Sequence, residues 1–285
     1  MRIAVIGSRG QLGSDLCKLI PKRDLVALAH KDIEITDINS VERALVEHKP
    51  DAVINTAAYV RVDDCETNVD TAYQVNALGA RNVAVISQKI GAKLVYISTD
   101  YVFGGDTSRK VPYTEYDKPD PLNVYGKSKL AGEDYVRSFH HKHFIIRASG
   151  LFGTAGSSGK GGNFVETILK LAKEKDRLTI VADQVFSPTY TADLAARILE
   201  IIPTRNFGIF HVTNSGACSW FKFAREILSI SGINTPVDPI DSDHYPQKAK
   251  RSSYSVLENY QLKLLGSHEL RNWKEAIKDY LRGKL

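Results

Sequence analysis

The chain has 285 residues, 43% of them hydrophobic, and carries 38 Lys and Arg against 33 Asp and Glu for a net charge of +5. That length supports a substantial core, as one large α/β unit or two closely packed lobes, and the small, evenly spread basic excess excludes a nucleic-acid footprint while suiting an anionic ligand. Cys17, Cys65 and Cys218 stand far apart, with no CxxC and no His cluster at ligand spacing, so neither a disulfide framework nor a metal site is expected, and a reducing cytoplasm fits.

The chain opens on Ile3-Ala4-Val5-Ile6, a strand-like run with no charged leader, and contains no apolar stretch of about 18 residues, so neither a signal peptide nor a membrane span is expected. Gly7, Gly10 and Gly13 come next, before an amphipathic stretch through Leu16, Leu19 and Ile20, and the order reads strand, glycine turn, helix. Glycines so placed turn the backbone tightly, let it approach a pyrophosphate and pack helix on strand, while the helix N-terminus offers amides and a positive dipole end. A second apolar run at 25–28 ends in Ala29-His30-Lys31, with no acid where an enzyme strict for the unphosphorylated nicotinamide cofactor carries one. Arg9 inside the turn and Lys31 just past the strand are then two cations able to flank a ribose phosphate. Glu34 and Ile35 border the adenine in this reading, and Asp37 or Asn39 caps the following helix.

A third strand at 52–54 ends in Asn55-Thr56-Ala57-Ala58-Tyr59, whose small residues allow close approach of a ligand, and a long helix carrying Ala72, Val75, Ala80, Val83 and Ile86 follows. The fourth strand, 94–97, ends at Ser98-Thr99-Asp100-Tyr101. Parallel sheets bind ligands at the carboxyl ends of their strands, which brings the Thr99 hydroxyl within reach of a carbonyl oxygen; the alternative is that Ser98 and Thr99 simply cap a turn. Residues 104–122 read as a loop over the rim. Beyond it Tyr125 and Lys129, four apart, share one helix face. An ammonium one turn away favours the phenolate and lowers a tyrosine's ordinary value of about 10, so the pair can pass a proton to a carbonyl oxygen. A fifth strand at 144–147, a glycine-rich break from Gly150 to Gly162, helices near 164–173, 193–202, 220–230 and 269–281, and strands at 178–181 and 209–212 complete the pattern. The fold class is α/β: a Rossmann-like, doubly wound parallel sheet with a smaller C-terminal substrate-binding lobe. Residues 1–150 form the dinucleotide-binding domain and 151–285 mostly the substrate lobe, with about 163–202 packing back on the Rossmann core.

The segments Gly7-Ser8-Arg9-Gly10-Gln11-Leu12-Gly13, Ser98-Thr99-Asp100-Tyr101-Val102-Phe103 and Tyr125-x-x-x-Lys129 resemble an extended short-chain dehydrogenase/reductase, and more narrowly the dTDP-4-dehydrorhamnose reductase family. Asn55 to Tyr59 with Val62-Asp63, Asn76, the run Tyr125 to Glu133, Asn163-Phe164, Asp183-Gln184, Ser187-Pro188-Thr189 and Ser219-Trp220 extend the likeness over nearly the whole chain. The resemblance implies reduction of the 4-keto group of dTDP-4-dehydro-6-deoxy-L-mannose to dTDP-L-rhamnose, a nucleotide-sugar step serving cell-surface polysaccharide, with NADPH preferred over NADH. It implies Tyr125 as proton donor, Lys129 as holder of the nicotinamide ribose, Thr99 as orienter of the ketone, and Asp100 as a group that contacts substrate or adjusts acidity. Gly7, Gly10, Gln11 and Leu12 face the pyrophosphate, Glu34 and Ile35 the adenine end, and Ala57, Ala58 and Tyr59 the middle of the cofactor. Phe103, Gly150, Asn163, Phe164 and Arg251 are candidates for the substrate pocket. The expected partners are a nucleotide-sugar substrate and a second copy in a homodimer, with no nucleic acid and no membrane.

Three positions depart from that family's pattern. Ala148-Ser149-Gly150-Leu151 lacks the usual tryptophan, which predicts a wider pocket; Val185-Phe186 replaces a small glycine-containing pair and could refill it; Arg251-Ser252 replaces arginine-proline. Two rival readings share the Tyr125 and Lys129 pair: a reductase or epimerase for another nucleotide sugar, and a non-catalytic subunit resembling the regulatory subunit of methionine adenosyltransferase.

Overall fold

The computed structural model describes residues 1–156 and 162–283. Five apolar runs become strands because each is short, lacks helical periodicity and can be covered on both faces: β1 (Ile3–Ile6), β2 (Leu25–Leu28), β3 (Ala52–Asn55), β4 (Lys93–Thr99) and β5 (His143–Ala148). With the strand Gly208–His211 they form a six-stranded sheet in the order Gly208–His211, β5, β4, β3, β1, β2, parallel throughout. The register pairs Ile6 with Leu28 and Asn55, Asn55 with Tyr96, and Thr99 with Ala148, so the strand ends carrying the singled-out residues share one edge. The strand read at 209–212 thus rejoins the central sheet after the chain has entered the smaller lobe.

Helices cover both faces. On one, Leu12 and Leu16 of the helix Gln11–Leu19 pack with Leu194, Ala195 and Ile198 of the helix Thr191–Ile201 against Val5, Ile54 and Ile146. On the other, Val41 and Leu45 of the helix Ile38–His48, Val83 and Ile86 of Ala80–Lys89, and Val136 of Val124–Phe139 pack on Ala4, Val53 and Ile145. Each such aliphatic side chain, fully buried, contributes about 1.5–3 kcal/mol. Asp37 caps Ile38–His48 through the Asn39 amide.

The long helix expected through Ala72 to Ile86 is interrupted. Val69–Tyr73 runs into a π-helical turn, Gln74–Gly79, before Ala80–Lys89 resumes the α-helix. That turn holds buried Asn76, whose carbonyl accepts the Tyr96 hydroxyl at 2.9 Å and whose amide donates to Ser128 Oγ at 3.0 Å on the Val124–Phe139 helix. The smaller lobe is built around Phe152, Ile168, Phe223, Trp273 and Tyr280, with the helices Phe164–Glu174, Trp220–Ile230 and Trp273–Arg282. Two-stranded pieces join it: Leu178–Val181 with Val237–Ile240, Val185–Phe186 with Cys218–Ser219, and Leu151–Phe152 with Thr189–Tyr190. Part of the glycine-rich break, residues 157–161, lies outside the described residues. No described helix is long and apolar enough to cross a membrane.

Candidate functional site

A cavity of about 1090 Å³ runs along the carboxyl edge of the sheet, from the glycine turn to the smaller lobe. At the first end Gly7 has φ +80, and a Cβ on it would collide with Thr56 Oγ1, which donates to the Ile6 carbonyl at 2.7 Å. A Cβ on Gly13 would strike the Gly7 carbonyl. Gly13 does not line the cavity; its part is to let the helix press against the turn, which corrects its placement among the cofactor contacts. Gly7, Arg9, Gly10, Gln11 and Leu12 do line it. The helix Gln11–Leu19 begins with no side-chain cap, so its first amides are left for an anion. This is a cradle that any side chain would fill, and it fits the pyrophosphate of a dinucleotide.

Arg9, Lys31, Glu34 and Ile35 line the adjoining mouth, and Ala57, Ala58 and Tyr59 the wall beyond. Arg9 is exposed and forms no ion pair among the described residues; Lys31 lies 4.0 Å from Asp32. Glu34, read at the adenine end, accepts the Thr36 amide and hydroxyl at 2.9 and 2.8 Å, and Asp32, which the sequence reading did not place there, accepts the Ala29 amide at 2.9 Å on the adjoining depression, so the two cations have acids beside them. Tyr59 is fixed by Asn76, which accepts its amide at 2.8 Å and donates to its carbonyl at 3.1 Å.

The helix Val124–Phe139 presents Tyr125, Lys129 and Glu133 one turn apart. Asn123 caps it through the Gly126 amide at 2.8 Å. Gly126 and Gly132 let it lie close: a Cβ on the first would collide with the Tyr101 carbonyl, and on the second with Asn76 and Tyr96. Tyr125 and Thr99 both line the cavity, and Tyr101 stands edge-on to the Tyr125 ring at 5.5 Å. Burial pushes the Tyr125 phenol above its ordinary value, with the Thr99 hydroxyl pulling the other way. That overturns the expectation that Lys129 lowers it in the ligand-free protein. The reason is first the burial of Tyr125 itself; Lys129, 2% exposed, is also buried, which pulls its ammonium down to about 7 against the attraction of Glu133. Its Nζ stands 4.1 Å from the Tyr96 ring.

Asp100 is buried and held by three hydroxyls, Ser255 at 2.7 Å, Ser149 at 2.9 Å and Thr99 at 3.2 Å. Burial pushes its carboxyl up to about 6 although those bonds pull it down. Thr99 both caps the turn Asp100–Val102, accepting the Tyr101 amide at 3.2 Å, and lines the cavity with Tyr125, so the two readings of this residue coexist. Ser98 instead donates to Glu133 at 2.5 Å, and Glu133 holds Arg147 at 2.9 and 2.7 Å.

On the substrate side, Gly150, Asn163, Phe164 and Arg251 line the cavity, as does Phe103, although Phe103 is 2% exposed and stacks on Tyr113 at 4.3 Å. Asn163 is committed elsewhere: its oxygen caps Phe164–Glu174 through the Glu166 amide at 3.0 Å, and its Nδ2 donates to the Gly153 carbonyl at 2.9 Å and Tyr280 at 3.2 Å. Arg251 grips Asp63 in a fork at 3.1 and 2.8 Å and also donates to Gln247 at 2.8 Å, so its charge is largely offset. The wider pocket predicted at Gly150 is not found. A Cβ there would collide with the Phe186 ring, which stacks on Trp220 at 3.8 Å, so Phe186 occupies the space of the missing tryptophan.

Sequence reasoning missed Ser149 and Ser255, isolated serines that only the tertiary fold brings to Asp100. It quoted Gln184 and Trp220 within the resemblance and assigned them no role; the aromatic beside a small-residue strand end was the available signal.

A parallel sheet whose first strand ends in a phosphate cradle, and whose fourth ends beside a tyrosine and a lysine on one helix face, defines a dinucleotide-dependent oxidoreductase. The chain belongs to the RmlD substrate binding domain family, matching it over residues 1–284. Spore coat polysaccharide biosynthesis protein SpsK of Bacillus subtilis is 42% identical, covering 99% of this chain and 97% of that protein. A dTDP-4-dehydrorhamnose reductase of Mycobacterium tuberculosis is 38% identical, covering 97% and 91%. The crystal structure of dTDP-4-dehydrorhamnose reductase from Bacillus anthracis in complex with NADP superposes with a TM-score of 0.94, at 42% identity and 99% coverage of each chain.

Proposed function

We propose that this protein reduces the 4-keto group of dTDP-4-dehydrorhamnose to give dTDP-L-rhamnose, with NADPH as the reductant. The observation that carries the reading is Tyr125 and Lys129, one turn apart on a helix, lining with Thr99 a cavity that begins at an anion cradle. The relatives named as dTDP-4-dehydrorhamnose reductases support the substrate, and the relative solved with NADP supports the cofactor. When bound, the nicotinamide supplies a hydride to the carbonyl carbon. Tyr125 supplies the proton to the carbonyl oxygen, and its raised value keeps that proton in place until a more basic alkoxide develops. Thr99 aims the phenol, and the Asp100 cluster behind it fixes Thr99. Lys129 lines the cavity, where its ammonium can take the cofactor ribose and stabilise the phenolate left after transfer. In this reading residues 1–150 carry most cofactor contacts, residues 151–285 close the substrate side, and the protein works in the cytoplasm.

The test is the purified chain with dTDP-4-keto-6-deoxyglucose, the epimerase that supplies the substrate, and NADPH. Stoichiometric oxidation of NADPH with appearance of dTDP-L-rhamnose is expected. A product formed without net consumption of cofactor when the added epimerase is left out indicates an epimerase, and no turnover on any keto-sugar nucleotide indicates a binding role.

A further inference from the structure

Three buried side-chain atoms lack a hydrogen-bond partner among the described residues: Ser87 Oγ, Tyr113 Oη and Gln184 Nε2. Of these residues only Gln184 lines the cavity, and it is 5% exposed. A buried amide donor is left unpaired at a free-energy cost, and native structures keep such groups where something else completes them.

The backbone around Gln184 is fixed. Asp183 before it accepts the Ser242 amide at 3.0 and 3.1 Å and the Ser242 hydroxyl at 2.7 Å. Val185 and Phe186 after it pair antiparallel with Ser219 and Cys218, and Val185 also exchanges backbone bonds of 2.9 Å with Ser253 and Ser255. The backbone that carries the side chain is therefore fixed, and the terminal amide, with no bond from Nε2, is left to turn toward a ligand. Asn163, the other amide on this side of the cavity, has its donors and acceptor occupied by the protein.

Its position also says which part of a ligand it meets. Ser255, bonded to the Val185 carbonyl, donates to Asp100, and Phe186 lies against Gly150, two residues past the Ala148 that pairs with Thr99. Gln184 immediately precedes the strand Val185–Phe186, whose neighbours Ser255 and Gly150 stand beside Asp100 and the end of β5, and it lines the same cavity. We propose that Gln184 is a specificity-determining residue whose amide hydrogen-bonds a ring hydroxyl of the keto-hexose. A hydroxyl both donates and accepts, and a half-turn of the terminal amide presents either end to it. Because the backbone is fixed, a hydroxyl of the opposite configuration does not meet the amide, and the contact reads the sugar rather than the nucleotide. The inference rests on the functional reading above.

The experiment compares the parent, Gln184→Leu and Gln184→Glu in three measurements: binding of dTDP-L-rhamnose and of dTDP by calorimetry, kcat/KM for the keto-sugar, and thermal melting without ligand. Gln184→Leu is expected to weaken dTDP-L-rhamnose and lower kcat/KM by about tenfold or more, leave dTDP within about twofold, and raise the ligand-free melting temperature by about 2 °C. Gln184→Glu, which keeps the acceptor and loses the donor, is expected to be at least as impaired on the sugar. Equal affinity of parent and Gln184→Leu for dTDP-L-rhamnose overturns the proposal, as does an equal loss on dTDP, which would move the amide to the nucleotide. A lower melting temperature for Gln184→Leu also overturns it, by making the amide structural. A parent that binds the sugar nucleotide but never oxidises NADPH defeats the functional reading instead, and the binding arms still decide the role of Gln184.

Discussion

At the scale of single residues, the site is dominated by burial. Tyr125, Lys129 and Asp100 all move toward their neutral forms in the ligand-free protein, because apolar surroundings penalise charge more than the few partners repay it. Tyr125→Phe removes one hydroxyl at the cavity wall and keeps the ring, so turnover should fall by about 100-fold or more with little change in melting temperature. Steady-state kinetics beside a melting curve checks this, and a variant reducing the keto-sugar near the parent rate would remove Tyr125 from the role of acid. Asp100 yields a prediction in pH. Its folded value, about 6, lies above the unfolded value near 3.8, so between those limits the folded protein holds a proton that the unfolded chain has lost. Stability therefore falls as pH rises through that window, and above pH 6 the full penalty, on the order of 3 kcal/mol, is present. Asp100→Asn should stabilise the ligand-free protein at pH 8 and lose that advantage near pH 4. Denaturant unfolding at pH 4, 5, 6 and 8 measures it, and a difference that does not vary with pH would show that Asp100 is already neutral or already compensated.

At the scale of elements, strands and glycine turns were legible because their signals are local. An apolar run ended by glycine needs no distant partner to be read, and β1 through β5 stand where those runs lie. The π turn at Gln74–Gly79 was not legible: it is fixed by Tyr96 of β4 and by Ser128 of the helix Val124–Phe139, while its sequence continues a helical pattern. The Asp100 cluster was hidden for the same reason, since Ser255 is 155 positions away. The Phe186 insertion was half legible, its size visible and its direction not. Gly150 sits at φ +53 with the Phe186 ring against it, so Gly150→Trp should lower both kcat/KM and melting temperature, by about tenfold and several degrees. Adding Phe186→Gly should recover part of the activity, though not the strain at the left-handed backbone. Recovery is the informative result; if the double variant is as impaired as the single one, Phe186 does not occupy the site that the tryptophan needs.

At the scale of the whole molecule, the cavity joins two halves with different demands. The substrate side is closed by neutralised contacts: Asp63 holds Arg251 in a fork and also accepts the Lys248 and Ala249 amides at 3.1 and 3.0 Å, tying the segment around Arg251 to the sheet-bearing half. The cofactor side is left open, with Arg9 unpaired among the described residues and Lys31 70% exposed. A ribose 2′-phosphate carries close to two negative charges, and exposed cations meeting it contribute about 0.5–1 kcal/mol each in water. Asp32 and Glu34 near the same mouth oppose part of that attraction, so the preference for NADPH over NADH in kcat/KM should be about tenfold at most at low salt. Raising the ionic strength should shrink it, because screening acts on exposed charges and leaves the buried reaction centre untouched. Arg9→Ala with Lys31→Ala should bring the ratio close to one while leaving kcat with saturating NADH unchanged, since neither residue touches the reaction centre. Measuring kcat/KM for both cofactors at two salt concentrations, in the parent and the double variant, decides the matter. A preference that survives both the substitutions and the salt would place the 2′-phosphate against other groups, of which Arg43, on the adjoining surface depression with Arg9 and Lys31, is the next to replace.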